Sequence, residues 1–157
     1  MGFLLERDAL NGKEGKAFMN RDGRNIELFQ MKKLETNADF QESDFKVVGT
    51  RLVQKKTTGV TLTGSMDVYK GSPEFLDMLV VYQRTGRLPV ITIQVINADP
   101  ATSIGRQVVA LVNVKLTKIP IAQLDADADF LMDNITFSFT SVEVLNAFNA
   151  PAQLGNN

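Results

Sequence analysis

A mainly β protein with a single flanking helix is what this sequence predicts. Apolar and polar residues alternate with period two over four separate stretches. An Asp-Gly pair sits between two short runs near the start, and one segment carries helix-boundary residues at both ends.

Taken in order, "MNRDGRNI" places Asp22 and Gly23 where a two-residue hairpin needs positive φ, so strands are expected over 15–21 and 24–36. Over 59–70, Val60, Leu62, Met66 and Val68 alternate with Thr61, Thr63, Ser65 and Asp67, with Gly64 on the apolar side. That pattern reads as a half-buried strand with a hydroxyl-rich outer face. The helix is expected over about 73–85. Ser72 can cap it, Pro73 suits the first helical position, Glu74 and Asp77 favour its positive end, and Gly86 terminates it beside Arg84 and Arg87. Phe75, Leu76, Met78, Leu79 and Tyr82 form its apolar stripe, read as burial against a sheet. Further alternation marks strands at 89–97, 107–118 and 134–144, the last with Ile135, Phe137 and Phe139 opposite Thr136, Ser138 and Thr140.

With 157 residues and 44% hydrophobic content, the chain can build one core without staples, so residues 1–157 read as a single unit. Residues 1–10 and 149–157 read as termini that are flexible or ordered by an interface. The start, MGFLLERDALNG, has no basic leader and does not read as a signal peptide, and no apolar run approaches the ~20 residues of a membrane span.

Catalytic chemistry finds little to work with. There is no histidine and no cysteine, so Ser-His-Asp, Cys-His and thiolate-metal arrangements are all excluded, and no catalytic residue, cofactor or metal ligand is assigned. Asp125, Asp127 and Asp129 match the first three ligand spacings of an EF-hand loop, but Phe130 stands at its glycine position and Thr136 at its final glutamate. A strand or strand entry with the three aspartates on one face and Ala126, Ala128 and Phe130 on the other explains that spacing better. No phosphate-binding glycine loop is present.

Net charge is only −1, but it is unevenly spread. Residues 46–66 hold Lys46, Arg51, Lys55 and Lys56 and no acid, whereas 119–157 hold Asp125, Asp127, Asp129, Asp133 and Glu143 and no base. A basic loop over 46–59 is therefore expected, with Gly49 and Gly59 letting it bend and Thr57 and Thr58 satisfying nearby polar groups. From the residues alone that loop either grips phosphates, as in a small nucleic-acid-binding β-barrel module, or is a solvated loop.

Three segments, "NGKEGKAFMNRDGRNIELF", "VVGTRLVQKKTTGVTLTGSMDVYKGSPEFLDML" and "LTKIPIAQLDADADFLMDNITFSFTSVEVLNAF", in this order resemble the phage tail tube proteins. The resemblance is to the core tail proteins of contractile, myovirus-like tails, including prophages of the PBSX type, and it covers residues 11–148. It implies a β-sandwich or barrel of roughly orthogonal antiparallel sheets with one flanking helix, and a structural role without enzymatic activity. It also implies hexameric rings stacked into a tube inside a sheath, with baseplate or tail-tip and tape measure proteins as further partners. Assembly in the bacterial cytoplasm into the virion tail, with DNA passing through the lumen and no membrane contact, completes the expectation. A bacteriocin-like or secretion-system tube shares that architecture. On this reading the loop with Lys46, Gly49, Arg51, Lys55, Lys56, Thr57, Thr58 and Gly59 contacts a neighbouring subunit. Asp125, Asp127 and Asp129 are its candidate acidic partner. Thr61, Thr63, Ser65, Thr136, Ser138 and Thr140 are candidates for the lumen face, because neutral hydroxyls would not capture phosphates.

Overall fold

The computed structural model describes residues 12–13, 15–28, 31–71 and 73–146. The first described elements form a hairpin, β1 (Gly15–Arg21) and β2 (Arg24–Glu27), turned at Asp22 (φ 53°) and Gly23 (φ 80°) as the Asp-Gly pair requires. The single strand expected over 24–36 is in fact two elements, because β3 (Met31–Phe45) begins anew and runs nine residues further than alternation suggested. Its extension, NADFQESDF, has no core face to mark it: every residue there is exposed. β4 (Gln54–Tyr69) returns along it, then α1 (Glu74–Thr85), β5 (Ile91–Ala98) and β6 (Arg106–Lys118) follow. β7 (Met132–Phe139) and β8 (Ser141–Asn146) divide the stretch expected as one strand over 134–144.

All pairings are antiparallel, in the order β2-β1-β5-β6-β7-β4-β3 with β8 also on β6, and the sheet is not closed into a barrel. It curls so that both halves contribute to one apolar cluster: Met19, Ile93 and Leu111 from one, Met66, Ile135 and Phe137 from the other. The strand common to both halves is β6, and its bend is visible in the register. Ile93 faces Leu111 but Ile91 faces Val114, so two residues of β5 oppose three of β6. The extra residue lies at Val112–Asn113, and Asn113 takes φ 56°, the left-handed conformation that asparagine tolerates better than most side chains.

At this bulge the neighbour of β6 changes. Lys115 and Leu116 pair with β7, whereas Val108–Val112 pair with β8, and Thr140 at the break donates its backbone N–H to the Val112 carbonyl at 3.2 Å. β4 follows β7 only from Leu62 to Tyr69. Beyond Leu62 it departs with β3 as a two-stranded arm.

The helix is narrower in its burial than its sequence stripe. Phe75 and Met78 are buried, but Leu76 and Tyr82 are 44% and 46% exposed. Pro73 precedes the first helical residue as the N-cap with no side-chain cap, correcting the expectation that it occupies the first helical position; Ser72 lies outside the described residues. Gly86 ends the helix at φ 71° and donates to the Tyr82 carbonyl at 2.7 Å. The helix N-terminus is tied to β1 by Arg21, which is 9% exposed at its side chain and reaches Glu74 at 3.3 Å and Asp77 at 3.2 Å. Arg24 also meets Glu74, at 3.0 Å.

Candidate assembly surfaces

Three surfaces stand out once the sheet is laid out by register. The first is a polar face spanning four strands. Because directly opposed residues share a face of a sheet, Asn37, Thr63, Ser138 and Lys115 form one row across β3, β4, β7 and β6. Glu35, Ser65 and Thr136 form the next, extended to β6 by a 2.9 Å hydrogen bond between the Thr136 and Thr117 hydroxyls. Lys33, Asp67 and Asn134 form a third, in which the Asn134 amide donates to Asp67 at 2.6 Å. The alternate residues, Met66, Ile135, Phe137 and Leu116, point into the core. Of the sequence candidates, Thr63, Ser65, Thr136 and Ser138 are thus brought together, and Thr61 continues the face opposite Asp39. Thr140 is not on it: the residue sits at the β7–β8 break, its hydroxyl turned to the Val112 carbonyl.

The same four strands have two open edges. Among the described residues no strand pairs with the outer edge of β3, and the β5 ladder stops at Val114, leaving the outer edge of Lys115–Lys118 uncovered. Since every pairing is antiparallel, β3 and β6 run in opposite directions. Placed side by side in one orientation, two copies would therefore continue the antiparallel alternation across the joint.

The third feature is the arm with the region at the other end of β4. The expected loop over 46–59 is a loop only over 46–53; Lys55, Lys56, Thr57, Thr58 and Gly59 belong to β4. Only Gly49 adopts positive φ (101°), at the turn. Gly59 instead adjoins a register shift, Gln41 pairing with Gly59 and Glu42 with Thr57, where the skipped Thr58 gives its hydroxyl to the Gln41 carbonyl at 3.3 Å. The arm is exposed on both faces, and it carries more than charge. Val48 and Leu52 at the tip are 102% and 78% exposed, with Phe40, Phe45, Val47, Val53 and Val60 also open to solvent. Sequence reading marked the four cations, placed Val60 on a buried face that it does not have, and passed over the other apolar residues. The doublets Val47-Val48 and Leu52-Val53 around a Gly-Thr-Arg turn were the available signal, since turns seldom carry apolar pairs without a use for them.

The acidic segment is not a strand. Residues 119–131 form an irregular loop, in which the Asp125 carboxylate accepts the Asp127 backbone N–H at 3.0 Å, and β7 begins only at Met132. The short Asx turn outcompetes the extended ladder that the spacing suggested. Asp125, Asp127 and Asp129 are all exposed, whereas Asp133 is buried and paired with Lys70 at 3.1 Å. Leu124 and Phe130 of this loop are 97% and 73% exposed, Phe130 resting edge-on against Tyr69. A recess of about 260 Å³ opens beside it between Pro73, Leu76, Pro120 and Ile121. Within one copy the basic tip and this acidic end do not meet. They lie at opposite ends of β4, about 50 Å apart along sixteen residues at ~3.3 Å each.

Comparison with known proteins places the chain in a family. The description "phage tail tube protein" matches residues 3–146. The chain belongs to the phage tail tube protein family. Two proteins of Bacillus subtilis (strain 168), the phage-like element PBSX protein XkdM and YqbM, are each 30% identical to it over 141 residues, 90% of this chain and 93% of theirs. Among solved structures, this tail tube protein has the fold of a chain in the anti-feeding prophage baseplate (TM-score 0.63, 10% identity, 88% of this chain and 96% of that one). It is also similar to a chain in the sheath-tube complex of an extracellular contractile injection system, PVC (TM-score 0.61, 14% identity, 84% and 88%). A third is in the virion of a gene transfer agent particle (TM-score 0.56, 14% identity, 90% and 100%). The family is one of structural tube proteins, not enzymes.

Proposed function

We propose that this tail tube protein assembles as hexameric rings stacked into the inner tube of a contractile phage tail, and that the tube conducts DNA during ejection. The observation that carries the reading is the four-stranded sheet with a hydroxyl-rich face and two open edges of opposite direction. Joining β3 of one copy to the Lys115–Lys118 edge of the next satisfies backbone groups that would otherwise remain unpaired, and it turns the polar rows into the wall of a channel. Thr63, Ser65, Thr136 and Ser138 then face the lumen. A passing polyanion meets mostly neutral hydroxyls there; of the cations on this face, Lys33 is held by Glu35 at 3.3 Å, while Lys115 and Lys118 stand at its β6 margin opposite Ser138 and Thr136. Such a wall lets DNA slide, because few fixed cations are available to exchange for its counterions. The outer surface then meets a sheath, and the tube ends meet baseplate and terminator proteins, in keeping with the assemblies in which the structurally similar chains are found.

Negative-stain electron microscopy of the concentrated protein, with sedimentation of the same sample, tests this. Rings or hollow tubes with six-fold averages are expected. A protein that stays monomeric even when seeded with tail tips would overturn the proposal.

A further inference from the structure

The core is open along one flank. Between β3 and the half of the sheet formed by β1, β5 and β6, where the strand order does not close on itself, lies a cleft of about 610 Å³. Its floor is apolar: the half-buried Met31 and Leu34 on one side, Val95, Val109 and the buried Leu111 on the other. Register puts these residues on the core face of both halves, since Leu34 lies opposite Met66 and Leu111 opposite Ile93. The rim is basic, with Lys13, Lys16, Lys32 and Lys33, and no acid is among the described residues that line it. We propose that this cleft is a binding site for an acidic, aliphatic peptide segment, and that its occupant is residues 3–10 of the same chain.

The chemistry of the segment matches both parts of the cleft. Phe3, Leu4, Leu5 and Leu10 supply apolar side chains for the floor, and Glu6 and Asp8, against the single base Arg7, supply net negative charge for the lysine rim. Left open, a cleft of this size holds about 20 waters at ~30 Å³ each above side chains that already flank the core cluster. Replacing that water by aliphatic side chains extends the core across its open side.

Connectivity selects the occupant. Gly12 and Lys13 form a turn that itself lines the cleft, so the segment before them is delivered there by the chain. Eight residues reach ~26 Å when extended, more than the about 17 Å that β3 covers from Met31 to Thr36. A segment tethered so closely has an effective concentration in the mM range, so a second copy at μM concentration competes at a disadvantage of about a thousandfold. A subunit covered in this way presents its strand edges without also presenting an apolar slot through which copies would adhere unproductively.

The absence of cysteine from the chain makes disulfide trapping a clean test on full-length protein. Phe3→Cys, Leu4→Cys and Leu5→Cys are each combined with Thr36→Cys, an exposed position in the cleft, or with Ala101→Cys, exposed beyond the Gly15–Asn97 pair at the same end of the sheet but outside it. Under mild oxidation of dilute protein, at least one pairing with Thr36→Cys is expected to close within the chain at least tenfold faster than its Ala101→Cys counterpart. The variant Leu4→Asp with Leu5→Asp is expected to keep its circular dichroism and to raise the fluorescence of an apolar dye at least threefold. Equal trapping rates at the two positions, or dye fluorescence unchanged in the Asp variant, would overturn the proposal. Disulfides formed only between chains would overturn it too, by giving the cleft to a second copy. Both readouts use unassembled subunits, so they hold whether or not the protein forms rings and tubes.

Discussion

Gly64 offers a stringent test of how the polar face is supported, because it lies directly behind the rows that Thr63 and Ser65 present. A Cβ at this position would stand 2.6 and 2.7 Å from two ring carbons of Phe137 and 3.0 Å from the Glu35 carbonyl oxygen. Carbon atoms prefer ~3.5–4.0 Å, so one of these groups has to move by about 1 Å. Phe137 has little freedom to do so: it is 1% exposed, and its ring centroid lies 6.1 Å from that of Phe139. Overpacking of this kind costs ~1–3 kcal/mol, and replacing a strand glycine by alanine returns ~0.5–1 kcal/mol of backbone entropy. Gly64→Ala is thus expected to destabilise the subunit by about 1–2 kcal/mol, lowering Tm by roughly 2–8 °C for a chain of this size. Urea denaturation of dilute, unassembled protein measures it. Phe137→Leu shortens the obstructing ring, so the double variant should be more stable than the sum of the single effects by at least about 0.5 kcal/mol. A Gly64→Ala protein as stable as the parent, or strictly additive costs, would refute the steric account.

Two further substitutions probe the frame around the site. Arg21→Ala removes the buried cation that anchors the N-terminus of α1 to β1; loss of its charge-assisted hydrogen bonds should cost about 2–3 kcal/mol in thermal or urea unfolding. Asp22→Asn, at 3.8 Å from the same guanidinium and 75% exposed, should change stability by less than about 0.5 kcal/mol. Asn113→Val forces a β-branched residue into φ 56° at the β6 bulge and should cost about 1–2 kcal/mol, whereas Asn113→Gly should be close to neutral; equal losses for both would show that the asparagine side chain, not the backbone, matters there.

Elements with one buried face were legible because burial writes itself as alternation. The stretch from Leu62 to Val68 was read with its correct outer face, although Val60, expected on the buried side, is 49% exposed because the sheet behind it has ended, and the Thr63–Ser138 and Ser65–Thr136 pairs proved to be direct neighbours. The helix was found from Pro73, Glu74 and Gly86, residues whose backbone or charge preferences act locally. The second half of β3 was missed for the converse reason: residues 37–45 bury nothing in one copy, so no hydrophobic period marks them. The aspartates misled in the same way, their period of two being satisfied by an Asx turn and solvent instead of a ladder.

By itself the sequence determined that this is a β-rich chain with one helix and no means of histidine or cysteine chemistry, and it separated basic from acidic charge along the chain. Those properties follow from residue types and short spacings. Only the tertiary structure decided where the polar face ends, which edges stay open, and that the two charged segments lie at opposite ends of one strand. Register between β4 and β7, and the bulge that lets β6 exchange one neighbour for another, are agreements between residues tens of positions apart. No local pattern encodes them; packing around Phe137, Met66 and Leu116 selects them.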